Sequence, residues 1–339
     1  MNNDENKSRV VSLVQIQEDT AVELSPKKLD DYLGQQELKA KLKVFITASM
    51  TRNEALDHVL LFGPPGLGKT TLAGVIANEL GVGVKSTSAP ALERVGDLVA
   101  ILSSLAPRDV LFIDEIHRLP KNIEETLYSA MESFFIDVIV GQGIGAKSVK
   151  LPINPFCLIG ATTKTAMISG PLQTRFGIVE RIDFYSADEL AQIICQNAAK
   201  INCPIEPSAA LEISKRSRGT PRVAKRIFRR VRDFASCEKS PTICHATAIA
   251  ALKFMGIDEQ GLDNLDRRVL RLMLEHFAGG PAGLDTLAAM TGEDKDTVES
   301  YCEPFLLRLG LLERTPRGRK IPDKILPHLV EKFLGQKTI

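Results

Sequence analysis

No two cysteines in these 339 residues form a Cys-x-x-Cys pair, no apolar stretch approaches 18 residues, and the formal net charge is only +1. Each absence excludes something. The six cysteines, at 157, 195, 203, 237, 244 and 302, are scattered, which argues against a zinc site or a disulfide framework and for reduced thiols in a cytoplasmic compartment. Residues 1–20 are polar and mixed in charge, without the apolar core of a signal peptide. The chain is therefore expected to be neither exported nor membrane-spanning, with no membrane partner. Near-neutral charge means that affinity for nucleic acid must come from local patches. What remains is ordinary globular material, 44% hydrophobic and 25% charged, long enough for two or three domains with separate cores.

One stretch rises above that background. Gly63-Pro64-Pro65-Gly66-Leu67-Gly68-Lys69-Thr70-Thr71 fits Gly-x-x-x-x-Gly-Lys-[Ser/Thr], with the apolar run Val59–Phe62 before it and the helix-like run Leu72–Leu80 after it. A strand, a glycine-rich turn and a helix N-terminus are what a nucleoside triphosphate needs. Backbone N–H groups face the phosphates, the helix dipole favours the anion, Lys69 reaches the β and γ oxygens, and the Thr70 hydroxyl ligates Mg²⁺.

Up to about residue 182, apolar runs at Val59–Phe62, Val84–Ser86, Val110–Ile113 and Cys157–Ala161 alternate with helical periodicity, predicting a parallel α/β sheet with right-handed crossovers. Ligands of such sheets lie beyond the carboxyl ends of the strands. Residues 134–140 and 147–151, around a glycine-rich tip, read as a β-hairpin, either core-packed or a docking surface for another protein. Residues 183–256 read as all helix. Nine of the eighteen residues Lys215–Arg232 are Lys or Arg, which for most of them is a solvated helix face. Arg222 differs: next to Pro221 it stands at a helix start, where a cation opposes the dipole.

Residues 257–339 have the rhythm of a winged helix: helices at Asp266–Phe277, Leu284–Met290 and Lys295–Leu309, then two short strands about the turn Thr315-Pro316-Arg317-Gly318. Arg314, Arg317, Arg319 and Lys320 crowd that hairpin, and such charge suits a phosphate backbone.

Val110-Leu111-Phe112-Ile113-Asp114-Glu115 is a buried parallel strand delivering two carboxylates to the sheet edge. Beside a phosphate loop, Asp114 would hold Mg²⁺ through its water shell and Glu115 would polarise the attacking water. His117 is open between relaying nucleotide state and a structural role. Thr163 or Thr162 ends another strand within reach of a γ-phosphate or water. Arg175, in Pro171-Leu172-Gln173-Thr174-Arg175-Phe176-Gly177, suits a finger to a neighbouring subunit's phosphate.

With those landmarks, the chain closely resembles the RuvB family of bacterial Holliday-junction branch-migration ATPases, of the AAA+ class, from about residue 20 to 335. The likeness is carried by Leu29–Gln35, Ala55–Leu61, Gly63–Thr71, Asp114–Leu119, Gly160–Thr163, Arg216–Arg222 and Arg314–Arg319. It implies a flexible segment at 1–20, an AAA+ P-loop parallel-sheet domain at 21–182, a helical lid domain at 183–256 and a winged-helix domain at 257–339. It implies ATP and Mg²⁺ as cofactors, a homohexameric ring, and DNA, a RuvA-type protein at hairpin 134–151 and a RuvC-type resolvase as partners. By resemblance, ATP is held by Leu24, Gly66, Gly68, Lys69, Thr70, Thr71, Tyr185 and Arg222. Thr70 and Asp114 then serve the metal, Glu115 and Thr163 the hydrolysis, Arg175 acts in trans, and Arg314, Arg317 and Arg319 meet DNA.

Four positions depart from the family pattern. Ser25 and Gln173 stand where arginines are usual, and Ser129 and Ser133 replace Pro and Asp. None removes a catalytic group. A nucleotide-gated DNA-binding regulator is the alternative from another class, but such a switch needs neither Glu115 nor Arg175. A clamp-loading subunit is not expected to end in residues like 257–339.

Overall fold

The computed structural model describes residues 25–140, 147–238 and 240–335. Leu24, the segment 1–20 and the hairpin tip at 141–146 lie outside the described residues. Two compact units emerge: one runs to Asn202 and takes in Thr220–Arg222, the other comprises Cys203–Gly219 and the chain from Val223 on.

The first unit is built on five parallel strands, β1 (Val59–Phe62), β2 (Val84–Ser88), β3 (Val110–Asp114), β6 (Cys157–Thr162) and β7 (Ile178–Arg181), in the order β2-β3-β6-β1-β7. β6 is buried along its whole length, as a central parallel strand covered on both faces must be. Leu111, Ile113 and Leu158 pack with Ile123, Leu127 and Phe156 in one core. β4 (Phe135–Val140) and β5 (Lys147–Pro152) form a separate antiparallel pair, in register from Phe135↔Pro152 to Val140↔Lys147. Ile136 of this pair is buried in the core, while Phe135, Val149 and Leu151 are exposed.

The second unit contains helices Pro207–Lys215 and His245–Phe254, most of Pro221–Cys237, and a winged helix. In the winged helix Leu270, Met273, Cys302, Leu306 and Ile321 share a core with Leu329 of the last helix. The third helix runs unbroken from Lys295 to Arg308, close to the expected Lys295–Leu309, but its middle, Val298–Cys302, is π-helical. Pro304 is the reason, because it has no N–H to complete the regular ladder. The wing is β8 (Glu313–Thr315) paired antiparallel with β9 (Gly318–Lys320). No described helix is long and apolar enough to cross a membrane.

Candidate functional site

The phosphate loop joins β1 to the helix Lys69–Leu80, whose N-cap is Gly68 at φ 98° with no side chain satisfying the first turn. Those N–H groups therefore stay open to an anion, and no acidic residue stands in that turn to compete. A Cβ at Gly68 would lie 3.1 Å from the Tyr32 hydroxyl, and the left-handed backbone there disfavours any side chain. At Gly66 the neighbour is Arg222: a Cβ would lie 3.0 Å from the arginine's own Cβ. The Arg222 backbone N–H donates to Gly66 O at 3.2 Å. The structure thus brings Arg222 onto the loop from more than 150 residues away in the chain.

Lys69 is 7% exposed. Its Nζ donates to the carbonyls of Gly63 (2.8 Å) and Pro64 (2.9 Å), so the loop holds its own lysine folded back. Burial pushes its pKa down to about 8; Asp114 and Glu115 oppose that shift and Arg222 adds to it. All four charges therefore act at one place. An unfolded lysine holds its proton up to 10.5. Burial hence costs stability below pH 8, and the cost fades as pH rises from 8 towards 10.5. A bound triphosphate would favour the charged form. At about pH 8.5 binding should consequently take up protons, and affinity should fall as pH rises through about 8. Calorimetry in two buffers of different ionisation enthalpy measures this, and equal heats would mean that Lys69 is already charged.

Asp114 closes β3, and its Oδ1 accepts from the Glu115 N–H at 2.9 Å. Glu115 sits at φ 50°, a costly left-handed conformation for this residue type. Its carboxylate pairs with Arg118 at 2.9 Å. His117 Nδ1 lies 2.9 Å from Thr162 Oγ1, which also accepts from the Lys164 N–H at 3.0 Å. Burial lowers the His117 pKa. Of the two threonines left open by sequence, the buried Thr162 is committed to this network and Thr163 is exposed. Thr70 is exposed, and Thr71 is half-buried. Among the described residues no group of three or more His, Cys, Asp or Glu is placed to hold a metal alone.

Tyr185 is 6% exposed, its hydroxyl 3.0 Å from that of Tyr32 and 3.4 Å from Leu67 O. Burial raises both phenols, Tyr185 to about 12. Both hydroxyls lie against Leu67 O, so the pair supports the phosphate loop. Among the described residues the polar partners of Arg175 lie off the phosphate loop: Nη2 pairs with Glu132 Oε1 at 2.9 Å and Nη1 donates to Pro171 O at 2.6 Å.

In the second unit, Arg314 and Arg319 converge on one carboxylate. Glu303, 1% exposed, accepts from Arg314 Nε at 2.5 Å and from Arg319 Nη2 at 3.0 Å. Arg314 remains 56% exposed but Arg319 only 18%. Arg317 is exposed at the wing tip, and Lys320 pairs with Asp323 at 2.8 Å. Two members of the basic run are also not the solvated charges expected. Arg216 is bound to Glu212 at 2.6 Å. Arg218, 8% exposed, bridges Asp263 (2.7 Å) and Asp266 (2.5 Å) with its guanidinium 4.5 Å from the Tyr301 ring centre.

Residues 24–182 match the Holliday junction DNA helicase RuvB P-loop domain, 185–258 the RuvB AAA lid domain and 259–330 the RuvB C-terminal winged helix domain. The chain belongs to the RuvB family. Among its RuvB relatives, the Holliday junction branch migration complex subunit RuvB of Lactobacillus gasseri is 53% identical over 324 residues, 95% of each chain. That of Lactobacillus helveticus is 54% identical over 336 residues, covering 98% of this chain and 97% of the relative. The solved Thermotoga maritima RuvB Holliday junction branch migration motor superposes with a TM-score of 0.80 at 47% identity, covering 91% of this chain and 98% of that one.

The sequence alone assigns no role to Tyr32 or Glu303. Tyr32 lies within the stretch Leu29–Gln35 that resembles the family, but nothing local links it to residue 67 or 185. Glu303 carries no signal at all, being one acid among many on a helix.

Proposed function

We propose that this RuvB-family chain is the ATP-hydrolysing subunit of a DNA motor that drives branch migration of Holliday junctions, working as a hexameric ring with a RuvA-type partner. What supports this reading is the match to the RuvB P-loop, lid and winged-helix domains, together with a phosphate loop whose buried Lys69 lies near Asp114, Glu115 and Arg222. A loop built only to bind would need the lysine but not the paired carboxylates at its side.

The chemistry follows from the residues. Lys69 exchanges two neutral carbonyl acceptors for anionic oxygens, a stronger, charge-assisted bond. The open N–H groups of the helix Lys69–Leu80 cradle the phosphates, with Gly66, Gly68 and Thr71 in that loop. Arg222 adds a second cation, and the Tyr185 ring borders the base. The exposed Thr70 hydroxyl and the Asp114 carboxylate are hard oxygen donors, a fitting partial set for Mg²⁺, which takes its other ligands from substrate and water. When bound, Mg²⁺ spreads the charge on the transferring phosphoryl group. Glu115 orients the attacking water, Thr163 hydrogen-bonds near the γ-phosphate, and Arg175 reaches the nucleotide of the next subunit. That last assignment agrees with the polar partners of Arg175 among the described residues, which lie off its own phosphate loop.

On the wing, Arg314 and Arg317 present charge to a phosphate backbone, while Arg319 mainly anchors β9 to Glu303. The exposed Phe135, Val149 and Leu151 suit the docking of a RuvA-type protein.

The test is branch migration of a four-way junction with and without a RuvA-type protein and ATP. Migration dependent on both is expected. Unwinding of simple forks with no effect on junctions would favour a general helicase. In DNA-binding titrations over a range of salt concentrations, Arg314→Ala should weaken binding regardless of sequence and reduce the salt slope by about one; an unchanged slope would remove the wing from the interface.

A further inference from the structure

The helix Lys121–Ser133 carries Glu124, Tyr128 and Glu132 at four-residue spacing, so they lie along one face. All three bear on Arg175 or on the turn that carries it. The Arg175 guanidinium carbon stands 4.4 Å from the centre of the Tyr128 ring, a cation–π stack. Glu132 and Pro171 O hold the terminal nitrogens. Arg175 Nε is buried with no hydrogen-bond partner among the described residues. The ring covers the face of the guanidinium whose terminal nitrogens those two acceptors hold, and so adds to fixing its plane.

The other end of Tyr128 reaches the turn itself. Its hydroxyl donates to Glu124 Oε1 at 2.6 Å and lies 3.0 Å from Ser169 Oγ, and the Ser169 hydroxyl also binds Glu124. Ser169 caps the short helix Gly170–Gln173, accepting from the Leu172 N–H at 3.2 Å. Arg175 follows that helix by two residues. One tyrosine is thus tied to both ends of the segment, its hydroxyl to the cap and its ring to the arginine.

We propose that Tyr128 is the positioning residue of the Arg175 finger, its ring setting the guanidinium plane and its hydroxyl locking the turn through Glu124 and Ser169. The inference rests on Arg175 acting at a neighbouring subunit's nucleotide. A planar fork stabilises transition-state charge only when aimed beforehand, so a loosened finger loses turnover rather than ATP affinity.

The experiment is subunit mixing, which tells where a residue acts. Tyr128→Ala should lower kcat by about 10²-fold, the usual cost of a misplaced group, with little change in the KM for ATP. Tyr128→Phe keeps the ring but loses the hydroxyl's hold on the turn, and should recover only part of that loss; full recovery would remove the hydroxyl from the proposal. Mixed with Lys69→Ala subunits, Tyr128→Ala subunits should regain ATPase, because their intact loops meet intact fingers. Mixed with Arg175→Ala subunits they should recover only weakly, because no interface joins an intact loop to an aimed finger. The reverse pattern, rescue by Arg175→Ala but not by Lys69→Ala, would assign Tyr128 to its own nucleotide site and overturn the proposal. Rescue by neither, while Arg175→Ala and Lys69→Ala rescue one another, would reduce Tyr128 to a folding role and overturn it too. If those last two fail to complement, the trans finger itself is wrong, and that outcome is visible without any Tyr128 variant.

Discussion

Arg175→Ala is expected to lower ATP turnover by about 10³–10⁵-fold, the range an arginine finger supplies in phosphoryl transfer, while leaving nucleotide binding nearly intact. The reason lies in where the side chain points. Its guanidinium contacts Tyr128, Glu132 and Pro171, none of them part of the phosphate loop. Within one chain its removal should therefore leave Lys69 as buried as before and leave the helix Lys69–Leu80 with its open N–H groups. Binding isotherms of the variant and the parent should overlay, and only steady-state and single-turnover rates should separate them. A loss of ATP affinity matching the loss of rate would mean that Arg175 serves its own chain's site. Glu132 adds a second expectation: with its partner gone, Glu132→Gln in the Arg175→Ala background should change the rate little, since the two substitutions remove one ion pair between them.

Residues carried by a local pattern were legible in the sequence, and residues carried by packing were not. β1, β3 and β6 announce themselves as apolar runs because both faces of a central parallel strand are buried. β7 was missed. At the sheet edge its sequence Ile178-Val179-Glu180-Arg181 alternates burial with exposure, and Val179 is 42% exposed. The phosphate loop and Asp114-Glu115 could be read because their spacing is fixed by one strand and one turn. Arg222 stands out because a cation at a helix start has no local structural motive, and the fold sets its backbone N–H on Gly66 O. Nothing local marks Tyr32, whose partner Tyr185 is 153 residues away. Glu303 reads as a surface acid until the wing folds back over it. Arg218 is hidden for the same reason: it sits in a basic run, and its two aspartates lie 45 and 48 residues further along.

Glu115→Gln is expected to separate binding from hydrolysis. Glutamine has nearly the same shape as glutamate and keeps an oxygen that can accept from Arg118, so the local turn should survive. That turn is sensitive, because residue 115 holds a left-handed backbone whose N–H is pinned by Asp114 Oδ1 at 2.9 Å. What glutamine lacks is the negative charge that draws a proton from water, and loss of a positioned base costs about 10²–10⁴-fold in rate. One of the two carboxylates opposing the lowered Lys69 pKa also disappears. The lysine of the nucleotide-free variant should therefore release its proton at lower pH than the parent's, and proton uptake on ATP binding near pH 8 should increase. Lys69→Ala behaves differently, losing the cation itself and with it the affinity for nucleotide. Equilibrium titration with labelled ATP and single-turnover hydrolysis, run on both variants, distinguish the two cases. Glu115→Gln should fill with ATP and stall, and Lys69→Ala should stay empty. Hydrolysis at the parental rate by Glu115→Gln would end the assignment of the base to Glu115 and turn attention to the Thr162–His117 pair at the end of β6.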